Sequence, residues 1–425
     1  MSIEELYKLY QQHPSVQTDT RKLRNGDLFF ALKGPNYNAN TFAEKAIHSG
    51  AVYAIVDEKE YATKENIIFV DDVLVTLQEL ALYHRQQFKI PFIAITGTNG
   101  KTTTKELVHS VLSTTYRCYT TTGNLNNHIG VPLTILNIGK DAEIAVIEMG
   151  ANHQKEIESY CRYTLPTHGL ITNCGKAHLE GFGGPEGVKK GKGELFDFLR
   201  GNKGSAFVMW DYDYLQEMST GIPEIITYGT HDANITGIAT RSEPFLSVEI
   251  TGSKIREVQT QLVGAYNLPN VIAAIAVGKH FKVKDEHIKN AIESYQPTNS
   301  RSQLIEFYSN KIILDAYNAN PSSMKAAIEN FAAISVKDKV LILGGMAELG
   351  AESIQEHRDI IEMIKNHSWK NVLLVGGDFQ NIDHPFQSFT NSSEAGQWFK
   401  AQHFEDTHFL IKGSRSMKME KVLDE

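Results

Sequence analysis

The stretch FIAITGTNGKTTTKELVHSVL, residues 92–112, constrains this chain more than any other. An apolar run enters a glycine-rich loop, and Gly-Lys-Thr then opens a segment with helical spacing. A strand turning tightly into a helix fits that order, and such a turn aims free backbone N–H groups and the helix dipole at an anion. Gly97 and Gly100 let the backbone wrap phosphates, Lys101 reaches the β/γ-phosphates, and the Thr102 hydroxyl suits magnesium. Thr98, Asn99 and Thr103 complete the candidate phosphate-binding loop. Ile95 stands where the first glycine of a full Walker A pattern belongs. The bland alternative is a glycine turn capped by threonine, which the order of strand, Gly-Lys-Thr and helix disfavours.

The rest of the chain repeats this strand–helix alternation, which predicts an α/β fold with a mostly parallel sheet. Three blocks emerge. Residues 1–88 hold two buried strands, DLFFAL and AVYAIV, around the helix TFAEKAIHSG, and VLVTLQELALYHRQQF leads out as a helix. Residues 89–297 contain the glycine loop, the strands EIAVIEMG and HGLITNCG, shorter antiparallel strands over 240–264, and the helix NLPNVIAAIAVGKHF. Residues 298–425 carry four strand candidates, KIILDAY, KVLILGGM, NVLLVGG and HFLIKGS, separated by helices such as SSMKAAIENFAAI. Ligands of open α/β sheets bind beyond the carboxyl ends of the strands, so the third block is a second candidate ligand-handling unit.

Composition narrows the function. The net charge of −8 offers no global basic field, which argues against nucleic acid as a partner. Cys118, Cys161 and Cys174 are scattered, without metal or disulfide spacing, as expected of a reducing compartment. MSIEELYKLYQQ does not read as a signal peptide, and no apolar run approaches the ~20 residues of a membrane span. A cytoplasmic location is the expectation.

Further side chains stand at strand ends. Glu148 closes EIAVIE and suits magnesium, though a solvated acid reads as well. His178 follows the next strand; a structural or surface histidine is the bland reading. GVKKGKGELF offers Lys189, Lys190 and Lys192, and a solvated helix end accounts for the first two. Asn267 and Asn270 open a helix; capping accounts for one, and the other could face a purine or phosphate. Arg301 lies at the junction of the second and third blocks, where a guanidinium could clamp phosphate or form a surface ion pair. In IILDAYNANPSSM, Asp315 ends a buried strand and Tyr317, Asn318 and Asn320 follow before Pro321.

Together GTNGKTTT, IEMGANH, AHLEGFG, KGE, GAYNLPN, Arg301 and LIKGSRSM resemble, in order, the motifs of the Mur ligases, ATP-dependent amide-forming enzymes of cell-wall precursor synthesis. DAYNANPSSM, MAELG, TTGNLNNHIGVPLTI and DTRKLRNGDLFFALKG resemble the branch that adds D-Ala-D-Ala to UDP-N-acetylmuramoyl-tripeptide. The resemblance implies three domains: a uridine-binding domain, a central P-loop ATP domain, and a C-terminal Rossmann-like domain that closes over ATP and receives the dipeptide. It implies an acyl-phosphate intermediate and two magnesium ions, held by Thr102, Glu148, His178 and a carbamylated Lys192. Lys101, Glu148, His178 and Lys192 would carry catalysis. Asn267, Asn270, Arg301 and Asp315 would join the loop in binding ATP. Asp19, Arg21, Asn124, Asn126 and Asn127 would contact the UDP-precursor, and Tyr317, Asn318 and Asn320 the substrates at the third domain. An enzyme of this size could act as a monomer. Rival readings are a ligase for another amino acid, a non-catalytic sensor of the precursor, and a generic P-loop kinase. Three positions depart from the family pattern: Gly345 replaces an acid, Asn38-Ala39-Asn40 replaces Asp-Gly-His, and Gly191 replaces alanine before Lys192.

Overall fold

A computed structural model describes residues 1–298 and 300–424; Asn299, beside the expected second boundary, and Glu425 lie outside the described residues. Helix α1 (Ile3–Gln12) starts in a capping box between Ser2 and Glu5. Four parallel strands follow in spatial order: β1 (Val16–Gln17), β2 (Leu28–Phe30), β3 (Tyr53–Val56) and β4 (Ile67–Phe69). Helix α2 (Val73–Arg85), capped by Asp72, leads out.

The central sheet has nine strands. In chain order they are β5 (Phe92–Thr96), β6 (Cys118–Thr120), β7 (Ile144–Glu148), β8 (His168–Ile171), β9 (Ser205–Met209), β10 (Glu224–Gly229), β11 (Ile235–Arg241), β12 (Ser247–Thr251) and β13 (Glu257–Gln259). Helix α3 (Lys101–Ser113) follows β5, α4 (Glu156–Thr164) follows β7, α5 (Pro185–Gly201) precedes β9, and α6 (Leu268–His280) follows β13. The spatial order is β13-β12-β11-β10-β9-β8-β5-β7-β6. Strands from β6 across to β11 run parallel, and β12 and β13 extend the sheet antiparallel, where short antiparallel strands are expected. The chain leaves β5 towards β7 on one side and β8 on the other, so the glycine loop lies at the topological switch point, where such sheets bind ligands.

The third sheet comprises β14 (Gln303–Phe307), β15 (Asn310–Asp315), β16 (Lys339–Gly344), β17 (Asn371–Val375), β18 (Gln387–Phe389) and β19 (His408–Lys412), with α7 (Pro321–Ala333) after β15. Its order is β14-β15-β19-β16-β17-β18, parallel except for the β14–β15 hairpin. Apolar side chains cover both faces. The α/β class and the mostly parallel central sheet are as the sequence predicts.

The first and second sheets share one core. Leu6, Tyr7 and Tyr10 of α1, Leu28 and Phe30 of β2, and Leu77 and Leu80 of α2 belong to the same buried cluster as Phe92, Ile93 and Ile135. Polar contacts lock this seam. His84 bridges the Tyr7 hydroxyl at 3.0 Å and the Ile138 carbonyl at 2.9 Å. Arg85 stacks on Phe92 and donates to the carbonyls of Thr164 and Leu165 at the end of α4. These last carbonyls have no partner within their own helix, and the guanidinium supplies one.

Candidate functional site

At the glycine loop, Gly97 adopts φ +137 and Gly100, the residue before α3, φ +78. A Cβ on Gly97 would lie 2.0 Å from Thr172 Oγ1, and one on Gly100 2.5 Å from Asn270 Oδ1, so both positions exclude a side chain. The loop is held from below. Asn99 N–H donates to Asn173 Oδ1 at 3.0 Å, and Thr172 Oγ1 and Asn173 Nδ2 donate to the Asn99 carbonyl. Lys101 Nζ folds back onto the carbonyls of Gly97 and Thr98, at 2.7 and 2.9 Å. Burial, partly offset by the charge of Glu148, pulls its ammonium down to about 8. Thr102 is buried in the first turn of α3 and Thr103 is half-buried beside it.

Asn267 stands at the N-cap position of α6, but its side chain gives no cap hydrogen bond, which corrects the capping expectation. Their side chains form a buried chain instead. Asn270 Oδ1 accepts from Thr104 Oγ1 at 3.0 Å, its Nδ2 donates to Asn267 Oδ1 at 2.9 Å, and Asn267 Nδ2 reaches the Val263 carbonyl at 2.9 Å. Asn270 thus lies directly beneath Gly100 and fixes α3 to α6.

Glu148, 1% exposed, ends β7 beside the loop. Its Oε1 accepts from Asn126 Nδ2 at 2.8 Å, while its Oε2 is buried without a hydrogen-bond partner. An unsatisfied buried carboxylate oxygen is costly and fits a cation ligand. Lys192, 2% exposed on α5, donates to the Ala151 carbonyl at 3.0 Å and lies 4.9 Å from the Phe182 ring centre. Burial, then the charge of Lys101, pulls it down to about 7. The departure at Gly191 has a physical reason: a Cβ there would lie 2.4 Å from Phe182 Cε1, so the ring over Lys192 fills the methyl's space. Lys189 pairs with Glu186 on the surface, as its solvated reading expects.

His178 is half-buried with φ +51, and its Nδ1 faces the carboxylate of Glu348 from the third unit. That contact holds the Glu348 carboxyl below the usual range. Further contacts dock the third unit on the loop. Asn320 Nδ2 donates to Asn99 Oδ1 at 2.8 Å, Lys176 Nζ pairs with Glu356 at 2.7 Å, and Lys176 N–H donates to Ser322 Oγ at 2.9 Å. Asn320 also caps α7 through Ser323 N–H. Asn318 is exposed, and Arg301 lies flat on Tyr317 with 3.6 Å to the ring centre.

Asp315 is tied by a group the sequence reading missed. Lys412, 1% exposed and opposite Asp315 in the β15–β19 register, donates to Asp315 Oδ2 at 2.5 Å and to the Asn318 carbonyl at 3.2 Å. Asp315 Oδ1 accepts from Ser302 N–H. A lysine closing the apolar run HFLI was the available signal. Gly345 also finds its reason: a Cβ there would meet Gly377 Cα at 2.7 Å, leaving no room for the family's acid.

Asn124 and Asn127 are exposed, and Asn127 Oδ1 accepts from Ile129 and Gly130 N–H at the start of the helix Gly130–Leu136. Asp19 and Arg21 pair with each other at 2.8 Å on the first unit. Asn38 and Asn40 donate to Glu58 and Asp57 beyond the carboxyl end of β3. Among the described residues no three His, Cys, Asp or Glu side chains gather as a metal cage. Magnesium commonly takes one or two protein oxygens and completes its shell from substrate phosphates and water, a style that the lone Glu148 oxygen suits.

A glycine loop at the switch point of a parallel sheet, with a second α/β unit docked on it through polar side chains, is the arrangement of a nucleotide-using enzyme. Residues 95–278 match the Mur ligase middle domain, and residues 300–415 match the Mur ligase glutamate ligase domain. The UDP-N-acetylmuramoyl-tripeptide–D-alanyl-D-alanine ligases of Bacillus subtilis and Escherichia coli are 34% and 35% identical, each across 96% of this chain and 92% of the relative. The crystal structure of MurF from Acinetobacter baumannii, 29% identical, superimposes with a TM-score of 0.86 over 98% of this chain and 97% of its own. The chain belongs to the Mur ligase family. MurF from Thermotoga maritima, solved with ADP and 24% identical, shares the fold at a TM-score of 0.85, covering 96% of each chain.

Proposed function

We propose that this enzyme joins D-Ala-D-Ala to the terminal carboxylate of UDP-N-acetylmuramoyl-tripeptide at the expense of ATP. The observation that carries the reading is the orphaned Glu148 oxygen beside the glycine loop of Lys101, with Lys192 buried on the carbonyl of Ala151 three residues further on and the third unit's Asn-rich loop docked on the phosphate loop. The tripeptide carboxylate attacks the γ-phosphorus, ADP leaves, and an acyl phosphate forms. The uncharged dipeptide amine then attacks the acyl carbon, and inorganic phosphate departs from the tetrahedral intermediate. Positioning and charge neutralisation do most of the work.

The loop from Gly97 to Thr103 cradles the triphosphate, and Lys101 turns from its loop carbonyls to the β/γ-phosphates. Thr102, Glu148, His178 and Lys192 would hold magnesium, which neutralises developing phosphate charge. Burial favours the neutral Lys192 amine. That amine adds CO₂ to give a carbamate and release a proton, turning a repelled cation into an oxygen ligand. Arg301 and Asp315 orient ATP from the third unit, Asn267 and Asn270 support the loop, and Tyr317, Asn318 and Asn320 present neutral groups to the dipeptide. Residues 1–88, with Asp19 and Arg21, take the uridine end, and Asn124, Asn126 and Asn127 the sugar or pyrophosphate. The enzyme acts in the cytoplasm as a monomer. No helix among the described residues is long and apolar enough to cross a membrane.

Phosphate release with ATP and UDP-N-acetylmuramoyl-tripeptide tests this reading. It should require D-Ala-D-Ala, and single amino acids should not substitute; equal release with alanine would overturn the dipeptide assignment. Lys192→Ala should collapse turnover and partly regain it with added acetate, whereas full activity without acetate would remove the carbamate.

A further inference from the structure

Glu194 lies two residues beyond Lys192 on α5 and is buried. Both of its carboxylate oxygens are occupied by the start of α4: Oε1 accepts from Lys155 N–H at 2.5 Å and Oε2 from Glu158 N–H at 2.9 Å. These are donors that a helix leaves without partners, normally met by a local Ser, Thr, Asp or Asn. Here the residue before α4 is Lys155, at φ +72, and its side chain gives no cap. The cap comes instead from a distant helix.

That choice connects two parts of the site. The segment 149–155 leaves Glu148 and ends at α4. Lys192 Nζ holds its Ala151 carbonyl at 3.0 Å, and Glu194 holds its far end at Lys155. The segment is thus tied to α5 at two points, through side chains two residues apart on that helix. At its near end Glu148 is fixed by Thr121 Oγ1 and Asn126. With both ends anchored, Ala151 has a defined position, and so does the amine that leans on it.

We propose that Glu194 is a positioning residue, tethering the segment after Glu148 to α5 so that the Lys192 amine is presented for carbamylation. This rests on the reading of Lys192 above. It extends that reading by assigning the carboxylate that makes the geometry, a residue that touches neither substrate nor metal. A local cap on α4 would satisfy the helix equally well but would leave α5 free to shift against the segment.

The experiment is ¹³C NMR of the full-length protein in ¹³C-bicarbonate, comparing wild type, Lys192→Ala, Glu194→Ala and Glu194→Gln. Thermal unfolding of each shows whether the fold is kept. Wild type should give a carbamate resonance that Lys192→Ala lacks. In Glu194→Ala and Glu194→Gln the resonance should fall about fivefold or more at equal bicarbonate, the loss expected when one cap-sized interaction disappears. Raising bicarbonate should restore both resonance and turnover, because a misplaced amine weakens CO₂ capture without removing it. A folded Glu194 variant with a wild-type resonance would overturn the proposal and leave Lys192 untouched. A wild-type spectrum without a Lys192-dependent resonance would overturn the carbamate reading beneath it. If the alanine variant unfolds, the glutamine variant decides. If both unfold, Glu194 is a helix cap and the tether falls.

Discussion

Lys412 and Asp315 form a buried ion pair at the carboxyl edge of the third sheet, and breaking it from one side should be far costlier than removing it whole. In Lys412→Met the Asp315 Oδ2 loses its 2.5 Å partner and keeps only the Ser302 N–H on the other oxygen. An uncompensated charge of this kind costs about 3–5 kcal/mol. Asp315→Asn leaves the 1%-exposed ammonium with little beyond the Asn318 carbonyl and should cost a comparable amount. The double variant leaves two neutral groups and should recover much of that loss, giving a coupling of about 2 kcal/mol or more. The chain has three tryptophans, and two of them, Trp369 and Trp398, lie in the third unit. Urea unfolding of the four proteins in a Trp210→Phe background therefore reports that unit alone. A coupling below about 0.5 kcal/mol, or single variants no weaker than the double, would refute the pair as a desolvated unit. Because Lys412 also holds the Asn318 carbonyl, Lys412→Met should raise the dipeptide KM even where the protein remains folded.

Lys101→Ala should lower turnover by at least about a hundredfold while the fold persists, since it removes the cation aimed at the transferred phosphoryl group; near-normal turnover in a steady-state assay would contradict the loop's role. Asn318→Ala should raise the D-Ala-D-Ala KM by about fivefold to tenfold and leave calorimetric affinity for the UDP-precursor unchanged, as expected for one lost hydrogen-bonding group. His168 on β8 packs against Phe207, His280 and Phe281, and burial, then the charge of His280, pulls its imidazole down to about 4. The unfolded chain therefore takes up a proton near pH 6.5 that the folded chain refuses. Stability should be intact above that pH and fall by up to about 3 kcal/mol on the way to pH 4, and His168→Gln should flatten this part of the urea-midpoint profile.

The phosphate loop was legible because its geometry is local: glycines, lysine and threonine sit within a few residues of a strand and a helix. The strands of the third sheet announced themselves as apolar runs, except the edge strands β14 and β18, which are half-exposed and carry no such run. Glu148 and Lys192 were legible as motif residues, but their partners were not. The Asn126 amide, the Glu194 cap and the Lys412–Asp315 pair join positions 22, 36 to 39 and 97 residues apart, and no periodicity encodes such distances. The capping expectation at Asn267 and Asn270 went wrong for the same reason. Their local context suits a cap, and the long-range hydrogen bond from Thr104 to Asn270 outweighs it.

The middle of the third sheet has a kinetic cost. Its centre strand, β19, is also the latest of its strands in the chain, wedged between β15 and β16. A ribosome adding about 5–20 residues per second completes both neighbours well before the strand that joins them. During that interval the antiparallel β14–β15 hairpin and the parallel β16–β17–β18 half-sheet expose facing, unpaired edges, each a template for another chain. Asp315 meanwhile waits for an ammonium that is nearly one hundred residues away, at 412. The first two sheets, welded by their shared core, are ready much earlier. The vulnerable species in the synthesis of this enzyme is thus a finished phosphate-binding body carrying an unclosed third sheet, and chaperone demand should concentrate on those open edges.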